Sequence, residues 1–169
     1  MTAANVIELR VLTPDDWASW RTLRLAALAE APYAFKSPLA EWQGEGDREE
    51  RWRALLSING SRNFLALLGG RPAGMARGVP ASQKDVVHLN SMWVGEHARG
   101  RGAGDLLVTA VEEYALGRLA TTLRLTVAPA NTHAIALYRR HGLRETGELG
   151  EVMPDGRRER VMTKTLAPG

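Results

Sequence analysis

LNSMWVGEHARGRGAG, residues 89–104, joins an apolar strand to a glycine-rich turn. Directly after it, apolar residues recur at helical spacing between Asp105 and Tyr114, so the glycines lie where a strand passes into a helix. The first N–H groups of a helix lack intrahelical partners and carry the positive end of the helix dipole, and glycine lets a ligand approach the backbone closely. The segment therefore predicts an anion site, and phosphate is the anion that suits it best.

Two common phosphate motifs do not fit these glycines. A Walker A loop requires Gly-Lys followed by Ser or Thr, and the segment contains no lysine. A dinucleotide fingerprint, Gly-x-Gly-x-x-Gly, begun at Gly100 would place its third glycine at Asp105. The pattern that remains is Arg99-x-x-Gly102-x-Gly104, for which a flexible surface turn is the alternative interpretation.

A second pattern follows a predicted strand at residues 123–127. It is N-x-x-A-x-x-L-Y over residues 131–138, closed by Gly142 and an apolar residue. Together the two patterns resemble the signatures of the GCN5-related N-acetyltransferases (GNATs), in which they occur in this order and at this separation. The resemblance is strong over residues 60–166 and weak before them.

The resemblance implies a single N-acetyltransferase domain over residues 1–169 with an α/β (α+β) fold. The GNAT-like sheet would be mixed and mostly antiparallel, with helices on both faces, and the element order predicts about six to seven strands. Acceptor-side elements are expected at residues 13–58 and the acetyl-CoA-binding core at residues 86–142. The implied activity is transfer of the acetyl group of acetyl-CoA to a primary amine by direct attack in a ternary complex. A non-catalytic acyl-CoA-binding or regulatory module is the alternative.

The resemblance also assigns roles to individual residues. The loop would hold the pyrophosphate of acetyl-CoA, and the backbone of the preceding strand would pair with the pantetheine arm. The expected cofactor-binding residues are Met92, Trp93, Val94, Arg99, Gly100, Arg101, Gly102, Ala103, Gly104 and Asn131. A helix N-cap is an equally good role for Asn131. Tyr138 is expected to protonate, or hydrogen-bond to, the departing CoA thiolate, with a core tyrosine as the alternative.

The sequence leaves the general base open. Some relatives carry a glutamate twelve residues before the tyrosine, where this chain has Thr126, which cannot accept a proton at neutral pH. Deprotonating a lysine amine at pH 7 costs about 4.6 kcal/mol and an α-amine about 1.4 kcal/mol, so an α-amine or aryl amine could react with water as the proton relay. His88 and Glu41 are the candidate bases.

The first third of the chain carries fewer signals. A strand is expected at residues 6–12, followed by a helix that Thr13 and Pro14 begin and that ends near Ala29. A second helix would begin at Asp47, with Glu50 completing a capping box. Between them lie two candidate substrate contacts, Tyr33 and Phe35.

Composition bounds the class of protein. The chain has 169 residues, 44% of them hydrophobic and 24% charged, which fits one globular domain. The net charge is +3 with acidic residues interspersed, so no nucleic-acid partner is expected. The absence of cysteine excludes disulfides and a cysteine acyl-enzyme, and no metal site is predicted.

Apolar runs are too short for a membrane span, and residues 1–5 lack the layout of a secretion signal. The expectation is therefore a cytoplasmic protein with no membrane partner. Its expected partner is an amine-bearing acceptor, either a small molecule or a protein N-terminus, and a homodimer is left open.

Overall fold

The computed structural model of the protein describes residues 6–32 and 38–166. The two aromatic candidates for substrate contact, Tyr33 and Phe35, lie outside the described residues. Within the described ranges, no helix has the length and apolar character required to cross a membrane.

Seven strands form one sheet in the described part of the chain. They are β1 (Ile7–Val11), β2 (Arg62–Leu68), β3 (Arg71–Pro80), β4 (Val86–Val94), β5 (Thr122–Val127), β6 (Arg144–Val152) and β7 (Arg158–Thr165). Their order across the sheet is β1-β2-β3-β4-β5-β7-β6, and only β4 and β5 are parallel. The predicted mixed, mostly antiparallel sheet is confirmed.

Four α-helices among the described residues cover the sheet: α1 (Trp17–Glu30), α2 (Glu49–Leu55), α3 (Ala103–Gly117) and α4 (Thr132–Arg140). The helices divide between the two faces of the sheet. Two residues of β3 show this, because side chains alternate along a strand and residues three positions apart lie on opposite faces. Gly78 lies against Tyr114 of α3, whereas Met75 packs with Trp20 of α1 and Trp52 of α2. We call these the α3–α4 face and the α1–α2 face.

The start of α1 follows the sequence signal. The backbone N–H of Thr13 donates to Asp16 at 2.8 Å, and Pro14–Asp16 form a 3-10 turn that leads into Trp17. The helix ends at Glu30, one residue beyond the predicted end.

The prediction for the start of α2 was wrong. The helix begins at Glu49, and no side chain caps it. Asp47 instead accepts hydrogen bonds from Arg21 Nε at 2.7 Å and from Trp52 Nε1 at 2.8 Å. A guanidinium is a stronger partner for a carboxylate than a neutral backbone N–H, so the contact between α1 and α2 displaces the local cap.

Candidate active site

Strands β4 and β5 run side by side but pair over only three residues. Val86–His88 of β4 are in register with Thr122–Arg124 of β5. Beyond these residues β4 remains paired with β3 and β5 with β7, and in the described part of the chain no ladder joins the two strands. A cleft therefore opens inside the sheet, bordered by backbone groups that can bind an extended ligand as another strand would.

A β-bulge lies on the β4 side of this cleft. Met75 of β3 is opposite Trp93, and Arg77 is opposite Asn90, so one residue of β3 between them faces two residues of β4. Ser91 has a φ of +56°, which is uncommon for a residue other than glycine. No sequence signal marks this bulge, because the position carries neither Gly nor Asn.

Beyond the bulge, two of the predicted pantetheine-contact residues have their side chains on opposite faces of the sheet. Met92 packs with the α3–α4 core, whereas Trp93 packs with the α1–α2 core. Their backbones remain along the border of the cleft, where the family resemblance leads us to expect the pantetheine arm. Val94 follows at the end of the strand, opposite Gly74 of β3.

The glycine loop lies beyond the end of β4 and leads into α3. Gly100 and Gly102 have φ values of +74° and +86°, and a Cβ at either position would meet no atom within 4 Å. Gly102 occupies the N-cap position of α3, so the N–H groups of Ala103 and Gly104 open the helix. An open backbone with a positive φ at a helix N-terminus fits the pyrophosphate predicted for it.

The arginines of the loop have different surroundings. Arg99 donates from Nε to the carbonyl of Val94 at 3.1 Å and forms an ion pair with Glu30 of α1. Its guanidinium therefore braces the loop against β4 and α1, and it would have to leave Glu30 to reach a phosphate. Arg101 is exposed on the loop beside the helix N-terminus.

An ion-pair network ties the end of α4 to the beginning of α3. Asp105 in the first turn of α3 is bonded to His141 Nε2 at 2.8 Å and accepts from Arg140 at 3.0 Å. The hydrogen bond with His141, followed by that with Arg140, lowers the pKa of Asp105. The Arg140 guanidinium compensates the one carboxylate of the first turn of α3, so its charge opposes a bound anion less.

Asn131 has the N-cap role that the sequence offers as its alternative. Its Oδ1 accepts from the backbone N–H of Ala134 at 3.3 Å at the start of α4. The amide nitrogen carries two N–H donors that this N-cap does not use.

Tyr138 lies on α4 and is 5% exposed within the α3–α4 core. Burial raises the pKa of the Tyr138 hydroxyl. The phenol is therefore neutral at physiological pH, as a proton donor must be.

The candidate bases His88 and Glu41 and the threonine at position 126 occupy different places. His88 is in register with Arg124 where β4 and β5 part, and burial followed by the charge of Arg124 lowers the pKa of His88. Thr126 lies two residues further along β5, exposed, on the face opposite the buried Leu125. Glu41 is exposed in a 3-10 turn, Leu39–Trp42. The structure therefore places His88 and Thr126 on one face near the cleft.

No group of three or more His, Asp and Glu side chains in residues 6–32 and 38–166 is arranged to hold a metal ion.

The profile of the Acetyltransferase (GNAT) family matches residues 21–143 of the chain. The chain belongs to the GNAT acetyltransferase family. The predicted family is thus confirmed, and so is acetyl-CoA as the acyl donor expected of a member. A search of curated protein sequences gave no match.

Solved structures share the fold of this GNAT. The acetyltransferase of GNAT family from Streptococcus pneumoniae has a TM-score of 0.78 at 22% identity, covering 96% of this chain and 100% of that one. The ribosomal-protein-alanine N-acetyltransferase from Brucella melitensis has a TM-score of 0.73 at 24% identity, with 94% and 99% covered. The PaiA N-acetyltransferase from Thermoplasma acidophilum, in complex with coenzyme A, has a TM-score of 0.73 at 14% identity, with 95% and 99% covered.

Proposed function

We propose that this GNAT protein transfers the acetyl group of acetyl-CoA to a primary amine by direct attack in a ternary complex. The parting of β4 and β5 carries this proposal, because the cleft between them runs from the glycine loop toward the face that bears His88 and Thr126. Support for the donor comes from PaiA, whose structure contains coenzyme A.

The residues of the cleft have separate tasks in this reaction. The backbone of Gly100–Gly104 would hold the pyrophosphate, with Arg101 adding a charge-assisted bond and Arg99 bracing the loop. The backbone of Met92, Trp93 and Val94 would pair with the pantetheine arm, and Asn131 would add a side-chain amide donor. This arrangement fixes the thioester relative to the sheet, so that binding supplies the orientation the reaction requires.

Two groups act at the reacting atoms. Backbone N–H groups beside the bulge in β4 can polarise the carbonyl that the amine attacks. Tyr138 supplies a proton to the sulfur that leaves, and the neutral state of its hydroxyl suits this role. The nitrogen loses a proton to water as it bonds to the acetyl carbon, and a proton from solvent restores Tyr138. Bound acetyl-CoA supplies the activated acetyl group.

The acceptor that we propose is a small amine or the N-terminus of a protein. The fold likeness to a ribosomal-protein-alanine N-acetyltransferase supports inclusion of α-amines, but the α1–α2 face that would form the acceptor walls contains no diagnostic motif. A cytoplasmic location and the oligomeric state remain predictions from the sequence.

Two measurements test this function. Calorimetry should show binding of acetyl-CoA, and release of CoA should follow addition of an alanyl peptide amide, an alkylamine or an arylamine. Binding of acetyl-CoA without CoA release from any of the three amines would favour the non-catalytic module instead. Absence of acetyl-CoA binding would contradict both the acetyltransferase and the non-catalytic acyl-CoA-binding module.

A further inference from the structure

The two edges of the sheet differ in how open they are to another strand. β6 forms one edge; its sequence RETGELGEV is rich in charge, and its pairing with β7 shifts register twice, with Gly147 at a φ of +84° inside the first shift. Irregular pairing and charged side chains protect an edge strand from pairing with another chain. β1 forms the other edge and pairs with β2 in one unbroken register. Its free side is therefore a regular template for a further strand.

Exposed apolar side chains lie along one face of β1. Leu9 is 40% exposed and Val11 is 51% exposed, and they are in register with Ala66 and Phe64 of β2. Ala66 and Phe64 belong to the α3–α4 core, so Leu9 and Val11 lie on that face, where they line a groove beside Tyr114 of α3. Large apolar side chains left in water on an unpaired edge indicate a surface that another chain covers.

The other face of β1 carries two opposite charges. Glu8 and Arg10 are exposed, and they are in register with Leu67 and Leu65, which belong to the α1–α2 core. Among the residues that the structure describes, neither side chain has an ion-pair or hydrogen-bond partner. β1 therefore offers another chain an apolar row on one face and an acidic and a basic group on the other.

The hydrogen bonds with β2 determine which backbone groups of β1 point outward. The N–H of Leu12 donates to the carbonyl of Asn63 at 2.8 Å, and this pair continues the register of β1 with β2. Hydrogen-bonded and non-hydrogen-bonded pairs alternate along an antiparallel ladder, so the even-numbered residues of β1 bond to β2. The odd-numbered residues direct their N–H and C=O groups to the free edge, and they are Ile7, Leu9 and Val11.

Charge favours one register for the antiparallel pairing of two copies of β1. A twofold axis at Glu8 would place two glutamates opposite each other, and an axis at Arg10 would place two arginines opposite each other, which is unfavourable in both cases. An axis at Leu9 places Glu8 of each copy opposite Arg10 of the other. On the apolar face Leu9 then lies opposite Leu9, and Ile7 lies opposite Val11. The sequence IELRV is thus complementary to itself in this register.

We propose that β1 is a dimerisation strand that pairs antiparallel with β1 of a second copy about a twofold axis at Leu9. The inference goes beyond the proposed function and does not depend on it. The outward N–H and C=O groups of the two strands satisfy each other, and two seven-stranded sheets become one continuous sheet. A twofold contact pairs a surface with itself, so the assembly closes as a dimer and does not grow into a fibre.

The size of the contact sets the expected affinity. Stable interfaces bury about 1,200–2,000 Å², and a pair of five-residue strands is a smaller contact. We therefore expect a monomer–dimer equilibrium with a dissociation constant in the micromolar range.

Charge reversal at the two charged positions tests the register. Sedimentation velocity of the wild type should show a dimer fraction that rises with protein concentration across the micromolar range. Glu8→Arg and Arg10→Glu each place like charges opposite each other twice, so each should weaken dimerisation by about thirtyfold. Lys84→Glu, exposed in the turn between β3 and β4, makes the same change of charge as Arg10→Glu and is the control, which should dimerise as the wild type does. Thermal unfolding of each variant shows whether the fold is retained.

A mixture of the two variants gives a test that depends on gain of association. Arg10→Glu is negative at positions 8 and 10, and Glu8→Arg is positive at both. Each should remain monomeric alone at a concentration at which the mixture forms a heterodimer, which native mass spectrometry distinguishes from either homodimer by its mass. The double variant with both substitutions should again pair with itself. This pattern requires residue 8 of one copy to face residue 10 of the other.

Three outcomes would overturn the dimerisation strand. The first is a wild type that sediments as a monomer throughout the micromolar range, whether or not another protein occupies the edge. The second is a dimer that survives both single charge reversals, which would assign the contact to another surface. The third is a pair of folded variants that do not associate when mixed. Release of CoA tests the proposed function separately, so either proposal can fail without the other.

Discussion

The two faces of the sheet meet at the cleft but are built differently. On the α3–α4 face the groups offered to a ligand are mostly backbone, as at Gly102 and the first turn of α3. On the α1–α2 face the structure depends on long side chains from distant segments, such as Arg21 and Asp47, which are joined at 2.7 Å, and Trp52. The proposed donor site is therefore local in the chain, whereas the proposed acceptor side forms only through tertiary packing.

The largest effect is expected on the stability of the α1–α2 face. Trp52 is fully buried and packs on Trp42 with ring centroids 4.7 Å apart. Trp52→Ala should lower the free energy of unfolding by about 3–5 kcal/mol, because it leaves a cavity that the surroundings cannot fill. Chemical denaturation measures this loss, with Val152→Ala, at a side chain 67% exposed, as the control.

The same variant tests how separate the two faces are. At temperatures where Trp52→Ala remains folded, its affinity for acetyl-CoA should match that of the wild type, since the loop and the cleft lie elsewhere. A tenfold weaker affinity would contradict the independence of the two faces, because acetyl-CoA binding would then depend on packing of the α1–α2 face.

The second effect concerns turnover alone. Tyr138→Phe should lower kcat by about a hundredfold by removing the proton donor, with little change in acetyl-CoA affinity. Tyr114→Phe is the matched control: that hydroxyl donates to the carbonyl of Gly60, so its loss should affect stability and leave kcat unchanged. Equal kcat for wild type and Tyr138→Phe would remove Tyr138 from the mechanism.

A third effect tests whether the donor site is made of backbone. Gly102→Ala places a side chain on a residue with a φ of +86°, which costs about 1–2 kcal/mol and disturbs the helix N-terminus. Affinity for acetyl-CoA, measured by calorimetry, should fall about tenfold, and Gly117→Ala should retain it. If both glycine variants bind acetyl-CoA as the wild type does, the loop backbone is not the pyrophosphate site.

The smallest effect should appear on the acceptor side at low pH. The hydrogen bond from Arg21, followed by that from Trp52, lowers the pKa of Asp47 from 3.8 to about 2 in the folded protein. Because the folded-state pKa is the lower one, the stabilisation is complete above the unfolded pKa and disappears as the pH falls from about 4 toward 2. Urea midpoints over this range should fall more steeply for the wild type than for Asp47→Asn, and parallel curves would contradict the assignment.

The sequence predicts the elements around the proposed donor site well because their signals are local. The glycine turn between a strand and a helix, the N-cap at Asn131 and the order of the elements all follow from residues a few positions apart. The Asp47 cap was wrong because a local rule cannot anticipate a guanidinium from α1.

The bulge in β4 separates this protein from a regular sheet by a single residue. Removing Ser91 would leave Met92 opposite Ala76 and keep Met92 and Trp93 on their present faces, so both cores would retain their contents. We therefore expect a one-codon deletion at this position to fold, with a straighter β4 that closes against β5. Such a variant would keep its circular dichroism spectrum and lose its affinity for acetyl-CoA. In the proposed function, binding of acetyl-CoA therefore depends on one residue inserted into a strand that would fold without it.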